Sequence, residues 1–278
     1  MRPNGMRHRR RLGFRWRRAA KALLPPRIQH AYRIFRHVVL LPYERELRFV
    51  SSMLSQHRVA IDIGAHVGLY THVLARGSQR VIAFEPHPTC ALYLQNLALK
   101  RCAIAALAIS DRSGSATLRV PGEHDDENRA LSTIHSSNDF KAGVNCSDES
   151  VYRVETSTLD DALKGRLLPS DSVGFIKIDV EGHELPVLKG AEATITMHRP
   201  MLLIEIESRH GGAIEETFAW LQQHGYAAFA LGDDNALSLI SAEQLLSLQS
   251  SERLLLKKTR PRYFGYVNNI FFVPAEFA

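Results

Sequence analysis

A chain of 278 residues, 45% of them hydrophobic, is long enough for one large α/β domain plus an extension, and carries no expectation of a second independent core. Its net charge of +6 misleads as a global figure, because residues 1–43 hold twelve Lys and Arg and no Asp or Glu, leaving 23 basic against 29 acidic residues beyond them. Three cysteines (Cys90, Cys102, Cys146) without a C-x-x-C pair speak against a disulfide framework and a structural zinc site, and read as buried or incidental thiols.

The basic arm comes first. Arg-rich, acid-free and carrying Phe14 and Trp16, it suits peripheral contact with anionic lipid better than nucleic acid, a transit sequence or a merely solvated tail being the alternatives. Lys21, Pro25 and Pro26 break its short apolar runs, so neither a secretory signal nor a membrane span is expected. A cytoplasmic protein, with the arm a candidate for the inner face of the membrane, is the expectation. Residues 27–55 read as helix interrupted at Pro42, a lid against the first strand, and residues 1–58 form the extension to a domain over 59–278.

From Val59 the pattern alternates. Strand Val59–Ile63, helix Leu69–Ala75, strand Val81–Phe84 and helix Pro88–Leu99 lead to a third strand at Cys102–Ile109. Residues 110–150, rich in Ser, Asp, Asn, Gly and His, read as an inserted loop bearing a hairpin, with alternating runs at Ala116–Val120 and Val151–Thr156. Thr158 and Asp161 have the spacing of a capping box. A fourth strand at Val173–Ile178, a fifth at Met201–Ile206, a helix from Ile214 to His224 ended by Gly225, and strands near Tyr226–Leu231 and Asn269–Val273 complete the series. The sum is a doubly wound, mostly parallel, Rossmann-like sheet of about seven strands, its last strand antiparallel.

Two strand tips carry the chemistry. The first strand runs into Asp62-Ile63-Gly64-Ala65-His66-Val67-Gly68, where Gly64 lets the chain turn, Gly68 lets a ligand approach the backbone, and the next helix aims its free N–H groups at the same spot. Glu85 ends the second strand, where the ribose hydroxyls of a nucleoside arrive. The spacing is wider than the dinucleotide G-x-G-x-x-G, and Asp62 repels a pyrophosphate but attracts an ammonium. Nucleoside plus amino acid implies S-adenosylmethionine (SAM), with Ala108 to Ser110 beside the adenine. At the fourth strand tip, Asp179 is placed for the methionine end or the methyl group, and Glu181 and His183 for taking a proton from a hydroxyl; Glu184 equally suits capping the next helix. His135 and His210 are loop histidines within reach. A metal variant would place Mg²⁺ on Asp179, Glu181, Glu205 and Glu207, although no metal is the principal expectation. A nicotinamide-dependent oxidoreductase and a non-catalytic binding protein are the rival classes.

The run Ile61-Asp62-Ile63-Gly64-Ala65-x-x-Gly68, the segments Ala83-Phe84-Glu85-Pro86 and Thr158-Leu159-Asp160-Asp161, the stretch Phe175-Ile176-Lys177-Ile178-Asp179-Val180-Glu181-Gly182-x-Glu184 and a late Phe-Phe-Val-Pro together resemble the FkbM-type methyltransferase family, in order from about Val59 to Pro274. The resemblance implies a class I SAM-dependent O-methyltransferase acting on hydroxyls of sugars, glycolipids, polysaccharides or polyketides. It implies that Asp62, Gly64, His66, Gly68, Glu85 and Ser110 bind the cofactor and that Asp179, Glu181 and His183 bracket the acceptor. His66 stands where such proteins more often carry Asn; both side chains can hydrogen-bond the cofactor carboxylate, and a histidine adds a pH-dependent charge.

Overall fold

A computed structural model describes residues 25–40, 45–121, 132–134, 149–210, 213–232, 234–259 and 265–278. The chain divides into two units, Met1–Pro42 and Tyr43–Ala278. In the first, helix α1 (Pro26–Ile34), started by Pro25 and Pro26, continues as a π-helical turn over Phe35–Leu40. Phe14 and Trp16 of the arm, His135 of the insertion and Cys146 lie outside the described residues.

The second unit begins earlier than the expected boundary, because helix α2 (Glu46–Met53) belongs to it. Leu47 and Val50 are buried, and Phe49 meets Phe271 edge to face with ring centroids 5.3 Å apart. An added Cβ on Gly77, the last residue of α3 (Leu69–Gly77), would strike the Leu54 side chain, so the chain after α2 packs on α3 rather than serving as a lid on the first strand.

Strands β1 (Val59–Ile63), β2 (Val81–Phe84) and β7 (Val173–Ile178) have the expected limits, because each is an apolar run bounded by charged or turn residues. All residues of β1 and β2 are buried, which requires cover on both faces of the sheet. Helix α4 (Pro88–Leu97) follows β2 and leads to β3 (Cys102–Ala105). The third strand does not run on to Ile109: the Leu107 N–H donates to the Ala105 carbonyl, and this tight turn sends β4 (Ala108–Ile109) out of the main sheet. There β4 pairs in parallel with β6 (Glu149–Ser157), whose other edge pairs antiparallel with β5 (Gly114–Pro121), so the insertion does carry a hairpin. Leu118, Val120 and Val154 form its small core with Ala108.

Thr158 Oγ1 accepts the Asp161 N–H at 3.0 Å and starts the short α5 (Leu159–Ala162). Its neighbour Asp160 accepts the N–H groups of Ala193 and Thr194 and so caps a different helix, α7 (Glu192–His198), which follows α6 (Glu184–Lys189). Beyond β8 (Met201–Glu205) come α8 (Ile214–Gln223), β9 (Tyr226–Leu231), β10 (Leu237–Leu239), α9 (Ala242–Leu248), α10 (Ser251–Thr259) and β11 (Asn269–Pro274).

Among the described residues the main sheet has eight strands in the order β10-β9-β11-β8-β7-β1-β2-β3, one more than expected because β10 adds an edge. β3, β2, β1, β7 and β8 are parallel, and β11 is antiparallel to both β8 and β9. From β1 the chain winds outward through β2 and β3, then returns to β7 on the other side of β1. The order therefore reverses between β1 and β7, where an open α/β sheet leaves a crevice at its carboxyl edge.

Candidate functional site

A cleft opens at that reversal. Its walls include Asp62, Gly64, His66 and Glu85 from the first two strand tips, Asp179, Glu181 and His183 beyond β7, and Glu205 at the end of β8. Phe84, Leu107, Ala108 and Ile109 supply an apolar side, and the insertion adds Leu118, Ser132, Thr133 and Ile134.

The turn after β1 is built by backbone constraint. Gly64 has φ +83°, and a Cβ there would lie 1.8 Å from the Asp179 carbonyl oxygen, so glycine is required both by the turn and by the passage of the chain beyond β7. His66 also has positive φ, at +46°. Asn and His are among the side chains most often found there, so histidine is tolerated at this turn. The backbone N–H groups of His66 and His87 donate to Glu85 at 2.6 and 2.7 Å. Glu85 thus fastens the turn as well as facing the cleft, and burial pushes its carboxyl up to about 7 despite those two bonds. Asp62 is raised to about 6 by burial, opposed by the Thr71 hydroxyl that donates to it at 2.6 Å and by the charge of Lys177. Gly68 is not among the residues lining the cleft; it is the left-handed N-cap of α3, its N–H donating to the Ala65 carbonyl.

Beyond β7 the predicted residues come together, each with a partner. Glu181 lies against Nδ1 of His210, and its carbonyl accepts the Thr133 hydroxyl at 2.8 Å. Burial depresses His210 to about 4, which favours the neutral imidazole beside that carboxyl. His183 Nε2 is 2.9 Å from Ser110 Oγ. Of the segment expected beside adenine, Ala108 and Ile109 line the cleft, and Ser110 is engaged by His183. Glu184, buried at the start of α6, accepts the Gly182 N–H at 2.8 Å; this braces the turn before the helix and does not cap it, since α6 has no side-chain cap. Gly182, at φ +97°, is pressed against His210, whose carbonyl oxygen would sit 2.2 Å from an added Cβ.

The residue that sequence reasoning passed over is Lys177. Only 1% exposed, it sends its ammonium among Asn269 Oδ1 at 3.2 Å, Asp179 at 3.8 Å and Glu205 at 3.9 Å, with the Tyr70 ring 5.0 Å away. Its signal was a lysine inside the apolar strand Phe-Ile-Lys-Ile, since a buried ammonium requires such company. Glu205 is raised well above the ordinary carboxylate range by burial, next by the charge of Asp179, and accepts from Asn268 at 2.5 Å. Glu207 serves structure, taking Arg209, the Tyr266 hydroxyl and Asn268. The four acids grouped for a metal are engaged by other side chains instead: Lys177 is the cation between Asp179 and Glu205, Asn268 donates to both Glu205 and Glu207, and His210 lies against Glu181. Among the described residues no group of three or more His, Cys, Asp or Glu is arranged to hold a metal.

Residues 62–228 match the family described as Methyltransferase FkbM domain. Over 155 residues the chain is 29% identical to Methyltransferase sdnD of Sordaria araneosa, covering 48% of this chain and 60% of that protein. Among solved structures, methyltransferase FkbM from Methylobacillus flagellatus aligns with a TM-score of 0.48 at 19% identity, over 92% of this chain and 57% of that one. A putative methyltransferase from Streptococcus mutans, solved in complex with SAH, gives 0.40 and 12% over 72% of this chain and 93% of that one. The chain spans less than two thirds of the length of the first two.

Proposed function

The chain belongs to the FkbM methyltransferase family, and from that membership we propose that it moves the methyl group of SAM onto a hydroxyl oxygen of a sugar, glycolipid, polysaccharide or related natural product. Family membership sets aside the nicotinamide reading. SAM supplies an electrophilic methyl group on a positively charged sulfur. The cleft fits such a ligand by its own chemistry: an apolar side of Phe84, Leu107, Ala108 and Ile109 suits a purine, Glu85 suits ribose hydroxyls, and the carboxylates outnumber the single lysine, which suits a ligand with two cationic centres.

The observation that carries the O-methyl reading is the pair Asp179 and Glu205. Both are partly exposed to the cleft, at 28% and 23%, and Lys177 holds them at a set spacing from below. A carboxyl with raised proton affinity is matched to removing the proton of a hydroxyl acceptor, which is the task that oxygen methylation leaves to the protein. Glu205 is that base, and Asp179 orients the acceptor beside it. Glu181 and His183, tied to His210 and Ser110, border the acceptor instead of swinging into it. Leu118 and Ser132 to Ile134 give the insertion a share in acceptor shape.

The test is incubation with methyl-tritiated SAM and glycan and lipid fractions of the source cells, followed by alkaline hydrolysis. The expected product is an alkali-stable methyl ether, with Glu205→Gln reducing incorporation by about 100-fold while leaving the SAM-induced melting shift in place. Label confined to alkali-labile esters, protein or nucleic acid overturns the reading.

A further inference from the structure

Helix α1 is amphipathic the wrong way round for a helix in water. Along α1 and the turn that follows, positions 27, 28, 31, 32, 35 and 36 are exposed and fall on one half of the helical cylinder. Its centre is apolar: Ile28, Tyr32 and Phe35, spaced i, i+4 and i+7, are 51%, 51% and 48% exposed, with Ala31 between them. Arg27 and Arg36 stand at the two borders of that stripe. The opposite half carries Gln29, His30, Arg33, Ile34 and His37, of which His30 is buried and the others half-buried. Ordinary amphipathicity places such polar groups outward and the apolar stripe inward. The reversed arrangement fits a helix whose outer face meets a second apolar phase.

Charge selects the phase. No carboxylate occurs before Glu44, whereas residues 1–43 carry twelve cations, so every Lys, Arg, Asp or Glu charge in the segment that holds the stripe has one sign. A nucleic acid would be met by cations at the centre of the face, and here the centre is hydrocarbon and aromatic. An anionic bilayer offers both requirements in the right order, negative head groups at the level of the flanking arginines and acyl chains beneath, with tyrosine favoured at the boundary. We infer that α1 is an interfacial anchor that lies in the plane of an anionic lipid surface, with Ile28, Tyr32 and Phe35 entering the acyl boundary and Arg27 and Arg36 at the phosphates. This inference is independent of the acceptor chemistry proposed above.

Co-sedimentation of the full chain with vesicles tests it, using phosphatidylcholine alone and phosphatidylcholine mixed with phosphatidylglycerol. The wild type is expected to pellet with the mixed vesicles and not with the neutral ones, less so at high salt. The triple variant Ile28→Ser, Tyr32→Ser, Phe35→Ser keeps all twelve cations and is expected to bind about tenfold more weakly or worse. Its SAM-induced melting shift should match the wild type, which shows that the catalytic unit is folded. Wild type that stays in solution with both vesicle types, a triple variant that pellets as the wild type does, or tighter binding to duplex DNA than to the mixed vesicles each overturns the inference.

Discussion

Burial gives the cleft carboxylates a proton affinity that free side chains lack, and this has a measurable sign. Asp62 is raised to about 6 and Glu85 to about 7, Glu205 lies above its ordinary range, and Glu184, buried at the start of α6, is raised to about 7. Unfolded, all four are ionised by about pH 6. The folded state therefore binds more protons than the unfolded one above that point, and stability falls as pH rises. His72, His198 and His210 are depressed by burial and give the opposite slope, but only below about pH 6.5, where unfolded imidazoles take up protons. Between about pH 6.5 and 8 the ligand-free protein should lose a few degrees of melting temperature. A cationic ligand favours the ionised carboxyls, so the shift produced by SAM should grow across the same interval. Thermal melts with and without SAM check both slopes, and a ligand-free melting temperature that holds level or rises would refute the assignment of these acids.

The elements around the cleft contribute in two separable ways, by passing close to one another and by anchoring helices at a distance. Gly64→Ala would put a methyl group into the Asp179 carbonyl and force a left-handed backbone on alanine, at a cost of several kcal/mol; chemical denaturation should show a severe loss of stability together with loss of SAM binding. Asp160→Ala removes the acceptor for the first N–H groups of α7 and for the Thr194 hydroxyl. It should cost about 1–2 kcal/mol in the same unfolding experiment and leave SAM affinity as it was, since Asp160 does not line the cleft. Loss of SAM affinity in Asp160→Ala would mean that α7 and the cleft are coupled.

Across the whole molecule, what could be read in advance was whatever a single segment specifies. The parallel core was legible because β1, β2 and β7 are predominantly apolar runs, broken only by Asp62 in β1 and Lys177 in β7, and the cleft was legible because glycines and carboxylates stand at their tips. The bend at Ala105–Leu107 and the edge strand β10, two of whose three residues are exposed, have no such pattern and emerge only when another strand offers its hydrogen bonds. The same holds for side chains. Lys177 with Asn269, His183 with Ser110 and Glu181 with His210 are joined across tens of residues, and so the partner of each was invisible while its presence at a strand tip was plain. In the proposed binding mode Glu85 grips SAM within the cleft formed at the reversal between β1 and β7. Calorimetric titration of SAM into the wild type and Glu85→Ala decides whether it does. Saturable one-to-one binding by the wild type is expected, weakened about tenfold in a variant that still melts cooperatively, as suits loss of a charge-assisted hydrogen bond; equal affinity in the two proteins, or no heat with the wild type, would contradict it.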